Sequence, residues 1–148
     1  MGLLTRLIQL LTGRRPPEAL LRSFHRYEQE LQDNCFRLAS ESGKPRGLRW
    51  VGCDWLDTFA IVRDPASGLI TLFRGANLSF EAVEGGDMED VAAVSTIREA
   101  VGVFHQQDGR WGTGGRVLFN VTAPQAAETV AAGQDVLLVR SPESAHQN

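Results

Sequence analysis

The sequence predicts an α+β domain: one long N-terminal helix packed on a mostly antiparallel twisted sheet of about 6–7 strands, with a short helix before the last strand. Three observations lead there. Apolar residues recur at steps of three and four from Leu20 to Leu38. From residue 48 the apolar period shortens to two, interrupted by turn-forming clusters. No segment repeats and no alternation of strands with long helices appears, so a parallel βαβ series is not expected.

The chain has 148 residues, 43% hydrophobic and 22% charged, which fits one globular domain. A chain of this size buries roughly 70% of its unfolded surface and needs no staple. The expected divisions are an amphipathic N-terminal helix over 1–15, one domain over 16–141 (helix 18–42, sheet 48–140) and a flexible polar tail over 142–148. Cys35 falls in a helical pattern and Cys53 in a strand pattern. Their spacing matches no zinc motif and no Cys-x-x-Cys pair, so both are expected as buried free thiols. A disulfide would need an oxidising compartment, and nothing else in the sequence points to one.

Residues 3–11, Leu-Leu-Thr-Arg-Leu-Ile-Gln-Leu-Leu, are the most apolar stretch. They fall far short of the roughly 20 residues that span a bilayer. The positive charge comes inside and after the apolar run, without a small-residue cleavage site, which does not fit a secretory signal. Arg6 stands where myristoylation of Gly2 would want Ser or Thr. These features predict a cytoplasmic chain. An amphipathic helix here suits packing on protein, because its apolar positions cover more than half the circumference. Contact of residues 1–12 with a membrane surface is the less favoured reading.

The net charge of −3 is unevenly spread. Residues 1–26 hold five arginines against Glu18, and residues 81–90 hold five acids and no base. A basic end can attract an acidic partner, although solvated surfaces account for the pattern as well.

After Pro16-Pro17 the apolar stripe Leu20, Phe24, Tyr27, Leu31, Cys35, Leu38 predicts the long helix, ended by Gly43 and Pro45. Glu18–Arg22 and Asp33–Arg37 are acid-first pairs four apart, the mark of an exposed face. Strands are expected over 48–54 and 58–63. The turn Asp64-Pro65-Ala66-Ser67-Gly68 then leads to a strand over 69–74. Gly75-Ala76-Asn77 reads as a further turn before a strand over 78–83. Residues 84–90 read as an acidic loop and 91–98 as a short helix or irregular link. Residues 99–107 pair with 110–121 across Asp108-Gly109, a strong hairpin signal. That register sets Gln106 against Trp111, His105 against Gly112 and Phe104 against Thr113. Thr122-Ala123-Pro124-Gln125 matches a capping box and opens a short helix that Gly133 stops. Asp135–Arg140 is the last strand.

No catalytic or metal motif stands out, and no cofactor is expected. The most unusual stretch is Trp111-Gly112-Thr113-Gly114-Gly115-Arg116. Successive backbone N–H groups, a hydroxyl and an arginine can hold an anion. Yet the Gly-Lys-Ser/Thr ending of a P-loop is missing and no helix follows directly. Glycines within a strand more often mark a bulge or a close backbone approach. His105 lacks a companion nucleophile. Asp54 and Asp57 flank Trp55-Leu56, where two acids more often cap a turn than perform acid–base work. Arg49, Arg63 and Arg74 on neighbouring strands, interleaved with Trp50 and Phe73, form a conceivable ladder for single-stranded nucleic acid. The acidic body argues against nucleic acid as a partner.

Two functions are therefore expected. The first is a non-enzymatic interaction or assembly module, joining a protein partner or itself through the N-terminal helices. The alternative is a small-ligand or anion-binding domain, enzymatic or not. Its pocket would lie between helix and sheet, with His105, Trp111, Thr113, Gly114, Gly115 and Arg116 near its mouth.

Overall fold

A computed structural model describes residues 15–42, 45–83 and 97–141. The expectations for residues 1–14, the acidic loop 84–90, most of the link 91–98 and the tail 142–148 fall outside them. The elements are α1 (Pro17–Ser40), β1 (Leu48–Arg63), β2 (Ile70–Ala82), β3 (Arg98–Gln107), β4 (Arg110–Gly112), β5 (Val117–Phe119), α2 (Ala123–Thr129) and β6 (Asp135–Arg140). The six strands form one sheet in the order β4-β3-β2-β1-β6, and β5 pairs further along β3. Every recorded pairing is antiparallel.

The predicted stripe of α1 meets the sheet. Leu20, Leu21, Phe24, Leu31 and Cys35 pack with Phe59 and Ile61 of β1, Ile70 and Leu72 of β2, and Phe104 of β3. Tyr27, counted into the stripe, is exposed. Among the described residues neither acid-first pair forms an ion pair, and Arg37 instead lies 3.8 Å from Glu41. Pro16 starts the helix, its carbonyl accepting from the amides of Ala19 and Leu20 at 3.0 and 3.1 Å.

Strand alternation turns the intervening residues to the other face. There Ala60, Val62, Phe73, Val101 and Val103 pack against Ala123, Ala126, Ala127 and Ala131. The methyl side chains of α2 let a short helix lie close to the sheet. Its Thr122 capping box forms in full, with Gln125 N–H donating to Oγ1 and Thr122 N–H donating to the Gln125 side chain. Both faces are thus covered, α1 on one and α2 on the other.

The turn at 64–68 forms as expected. Asp64 Oδ1 accepts from Ala66 N–H at 2.9 Å, and Gly68 takes φ +78°. The turn at Gly75-Ala76-Asn77 does not form, and the break between the first two strands closes up. The pairing of Leu48 with Ala82 runs on to Arg63 with Ile70, so four short strands fuse into two long ones. The local preference of Gly and Asn for turns yields to a partner strand that offers hydrogen bonds along the whole length. Gly75 has a different use: a Cβ there would run into the Thr58 side chain.

The Asp108-Gly109 hairpin is built as predicted. Both residues have positive φ, +53° and +77°, as a primed two-residue turn requires. Gln106 opposes Trp111 and His105 opposes Gly112. The expected Phe104–Thr113 pair is missing, because pairing breaks after Gly112 and resumes with Gly102 against Val117. The second arm carries two residues more than the first across this interval, which bulges the glycine-rich segment toward α1. Gly115 sits at φ +78°, and a Cβ there would strike Leu38 Cβ and lie 3.0 Å from the Ala39 nitrogen. Gly115→Ala should therefore destabilise the fold by about 1–3 kcal/mol, through strain and through pushing the helix away. Gly112→Ala, whose Cβ meets nothing within 4 Å, serves as the control. Urea unfolding of both variants checks this, and a Gly115→Ala midpoint equal to that of the control would refute it.

Candidate functional site

The bulge in β1 builds a polar cluster under the first half of α1. Between the pairs Trp55–Ala76 and Phe59–Arg74, β1 carries two more residues than β2. The displaced Leu56 carbonyl accepts from Arg74 Nε at 3.0 Å. Arg74 Nη1 donates to Glu28 Oε2 of α1 at 2.9 Å, and the same oxygen lies 2.9 Å from His25 Nδ1. Phe59 carries the Arg74 guanidinium 4.8 Å from its ring centre, with Arg140 at 6.0 Å. Arg140 Nη1 also lies 3.5 Å from Asp57 Oδ1. The Arg74 side chain is only 11% exposed, so its charge is held by Glu28, the Leu56 carbonyl and an aromatic face rather than by water.

Burial pulls the Glu28 carboxyl upward, but hydrogen bonds from His25 and Arg74, and the charges behind them, outweigh it and leave it below its ordinary value of 4.5. A carboxylate on Nδ1 is the arrangement that orients a histidine for proton transfer through Nε2. Among the described residues no hydroxyl or thiol hydrogen-bonds to His25, so no nucleophile completes such a device here. The cluster acts as a clamp between helix and sheet.

Farther along α1, the helix and sheet enclose an apolar cleft. Cys35 and Phe36 come from α1, Trp50, Cys53 and Trp55 from β1, and Ala76 and Leu78 from β2, with Gly102 and Val117 alongside. The Trp55 ring lies flush on Gly102, where a Cβ would stand 2.7 Å from the indole. The free volume is about 10 Å³, room for one water-sized body. Burial raises both thiols. For Cys35 contacts to Thr113 and Val103 partly oppose this, while Cys53, with Cys35 and Asp54 nearby, is pushed up to about 12. Both cysteines are free, as the sequence predicts, but only Cys35 is buried as expected; Cys53 is half-buried, at the bulged part of β1.

The hairpin candidates separate. Trp111 packs 5.4 Å from Phe24 and donates from Nε1 to Ser23 Oγ at 3.0 Å. Thr113 Oγ1 donates to the Val103 carbonyl at 2.9 Å and accepts from Gly115 N–H at 3.1 Å. Trp111, Thr113 and Gly115 thus fasten the bulge to β3 and α1, while Gly114 is exposed. His105 lies on the α2 side, 3.0 Å from Thr71 Oγ1. Burial and the Arg116 charge hold it below its ordinary value. The six residues do not line one mouth.

The other candidates are also engaged. Arg49 pairs with Glu81, Arg63 with Asp135 at 3.8 Å and Arg74 with Glu28, so each arginine of the expected ladder faces a carboxylate. Phe73 is buried on the α2 side and Trp50 belongs to the cleft on the α1 side, so they do not form one stacking surface. Asp57 pairs with Arg140, and Asp54 is exposed. Among the described residues no three His, Cys, Asp or Glu side chains gather as a metal site. No described helix is long and apolar enough to cross a membrane.

Sequence reading missed the Glu28–Arg74 link. Its one signal was an arginine inside the apolar run Leu72-Phe73-Arg74-Gly75, which needs a counter-charge once buried. No family model matches the chain, and neither does any curated protein or solved structure.

Two outcomes are expected. Because the folded carboxyl lies below 4.5, Glu28 stabilises the native state fully above that value and loses its effect as pH falls through the folded value. Glu28→Gln should therefore unfold more easily than the parent at neutral pH, and the two should converge at the acid end; a difference that persists or grows on acidification would contradict this. The raised thiols, Cys35 buried and Cys53 half-buried, should resist a thiol-titrating disulfide reagent at pH 8 in the native chain and react, two per chain, in denaturant. Fast native reaction of either one would show that the cleft is open to solvent.

Proposed function

We propose that the chain is a non-enzymatic interaction or assembly domain, working in the cytoplasm, that meets a protein partner or a second copy of itself through its N-terminal helical region. One observation carries this reading. The apolar stripe of α1 is already engaged by the domain's own sheet. The apolar residues of 3–11 are the most apolar stretch of the sequence, and such a run favours a contact with protein made by that segment. The chemistry of the described side chains agrees: the hydroxyl, indole, guanidinium and thiol groups that drew notice in the sequence mostly serve internal contacts.

The alternative, a domain for a small ligand, draws support from the cleft of Trp50, Trp55 and the two thiols, which lies between helix and sheet. Such a ligand would be apolar rather than an anion. It would also have to displace the Trp55 ring, because the present free volume is that of a single water.

The test is the solution mass of the full chain and of a chain lacking residues 1–14. The shorter chain keeps Pro16, whose carbonyl caps the start of α1. Assembly that depends on the segment should appear as a lower mass for the truncated chain with its unfolding transition intact. Equal assembly of both chains would overturn the role given to residues 1–14.

A further inference from the structure

The solvent side of α1 has an order that its fold does not use. Three opposite-charge pairings can be drawn along it, Glu18 with Arg37, Arg22 with Asp33, and Arg26 with Glu30, and a fourth, Arg15 with Glu41, just beyond its two ends. The midpoint of every one falls at residue 27.5 or 28. All eight side chains are exposed. A half-turn about an axis through that point, perpendicular to the helix, therefore lays each of the six helical charges over its opposite. The first half of the face is predominantly basic and the second predominantly acidic.

The obvious alternative use of these charges is pairing within the helix. That use is mostly unrealised: Glu18–Arg22 and Arg26–Glu30 have the right spacing, yet neither forms an ion pair among the described residues. Among the described residues Arg37 approaches Glu41, at 3.8 Å, and Asp33 accepts from Gln29 at 3.1 Å. The sheet side of the helix is filled by its own core, so these charges do not hold the domain together.

We infer that α1 pairs with α1 of a second copy, antiparallel and outer face to outer face, about a two-fold axis near residue 28. A two-fold contact requires a self-complementary surface, and this charge order supplies one. Arg22 and Arg26 of each copy meet Asp33 and Glu30 of the other, and the helix ends close with Arg15 on Glu41. A parallel pairing would set like charges together, so the pattern also fixes direction. This inference rests on the assembly reading above and names its surface. Because the pairs are solvent-exposed, the dimer is weak and sensitive to salt.

The experiment measures the mass of the full chain by sedimentation, in low salt and in roughly 1 M salt, where the Debye length falls to about 3 Å. Two surface double variants accompany it, R22E/R26E and E30R/D33R, with their folding checked by circular dichroism and melting. The parent should dimerise in low salt and dissociate in high salt. Each double variant should dimerise about tenfold more weakly or worse. An equimolar mixture of the two should recover the dimer as a heterodimer, because positions 22, 26, 30 and 33 are then all acidic in one chain and all basic in the other. A parent that stays monomeric, leaving the face to solvent or to another protein's helix, overturns the inference. So do double variants that dimerise like the parent. If those variants keep the parent's mass while loss of residues 1–14 lowers it, the helix-face inference falls and the terminal-segment reading stands. If the reversals abolish the dimer and the truncation does not, the opposite holds.

Discussion

The structure turns on Phe24. This residue has no exposed surface, and its ring meets Phe104 at 5.1 Å, Trp111 at 5.4 Å and Phe59 at 6.3 Å, each edge to face. One helical side chain thereby touches three strands, and removal of such a ring costs on the order of 3–5 kcal/mol. Its position fixes the rotation of α1 about its own axis. That rotation carries Ser23 to the Trp111 indole, Glu28 to Arg74, and the charged face to solvent. The polar contacts refine a seating that aromatic packing has already chosen.

The features legible in the sequence were those set by neighbours along the chain. The helix stripe, the Asp108-Gly109 turn, the Thr122 capping box and the turn at 64–68 each depend on a few adjacent residues. The fused strands were hidden for the opposite reason. Gly75 and Asn77 favour a turn on their own, and only the facing strand overrules them. The coverage of the second face was hidden because Ala123, Ala126 and Ala127 give α2 almost no apolar contrast.

The candidate site was less legible than the fold. Glu28 and Arg74 stand 46 positions apart, and no local pattern joins them. The glycine-rich hairpin looked chemical in sequence, and most of its unusual residues are accounted for by close packing. Gly115 admits the helix backbone, Thr113 bridges the break in pairing, and Trp111 anchors the far side. Glycine, threonine and tryptophan in one short segment serve a ligand or a tight bulge equally well. The choice between them depends on what lies opposite, which is α1.

The position of β6 has a consequence for how the chain is made. It pairs with β1 across a separation of about 70 to 80 residues, while β1, β2 and β3 are joined to their sequence neighbours. During synthesis the β1–β3 meander can form early, with the outer edge of β1 still bare. That edge includes Phe59 to Arg63, the stretch lying under the aromatic core. Until Arg140 has left the ribosome, the most apolar part of the sheet ends in open backbone, and any strand within reach competes for the place that β6 finally takes.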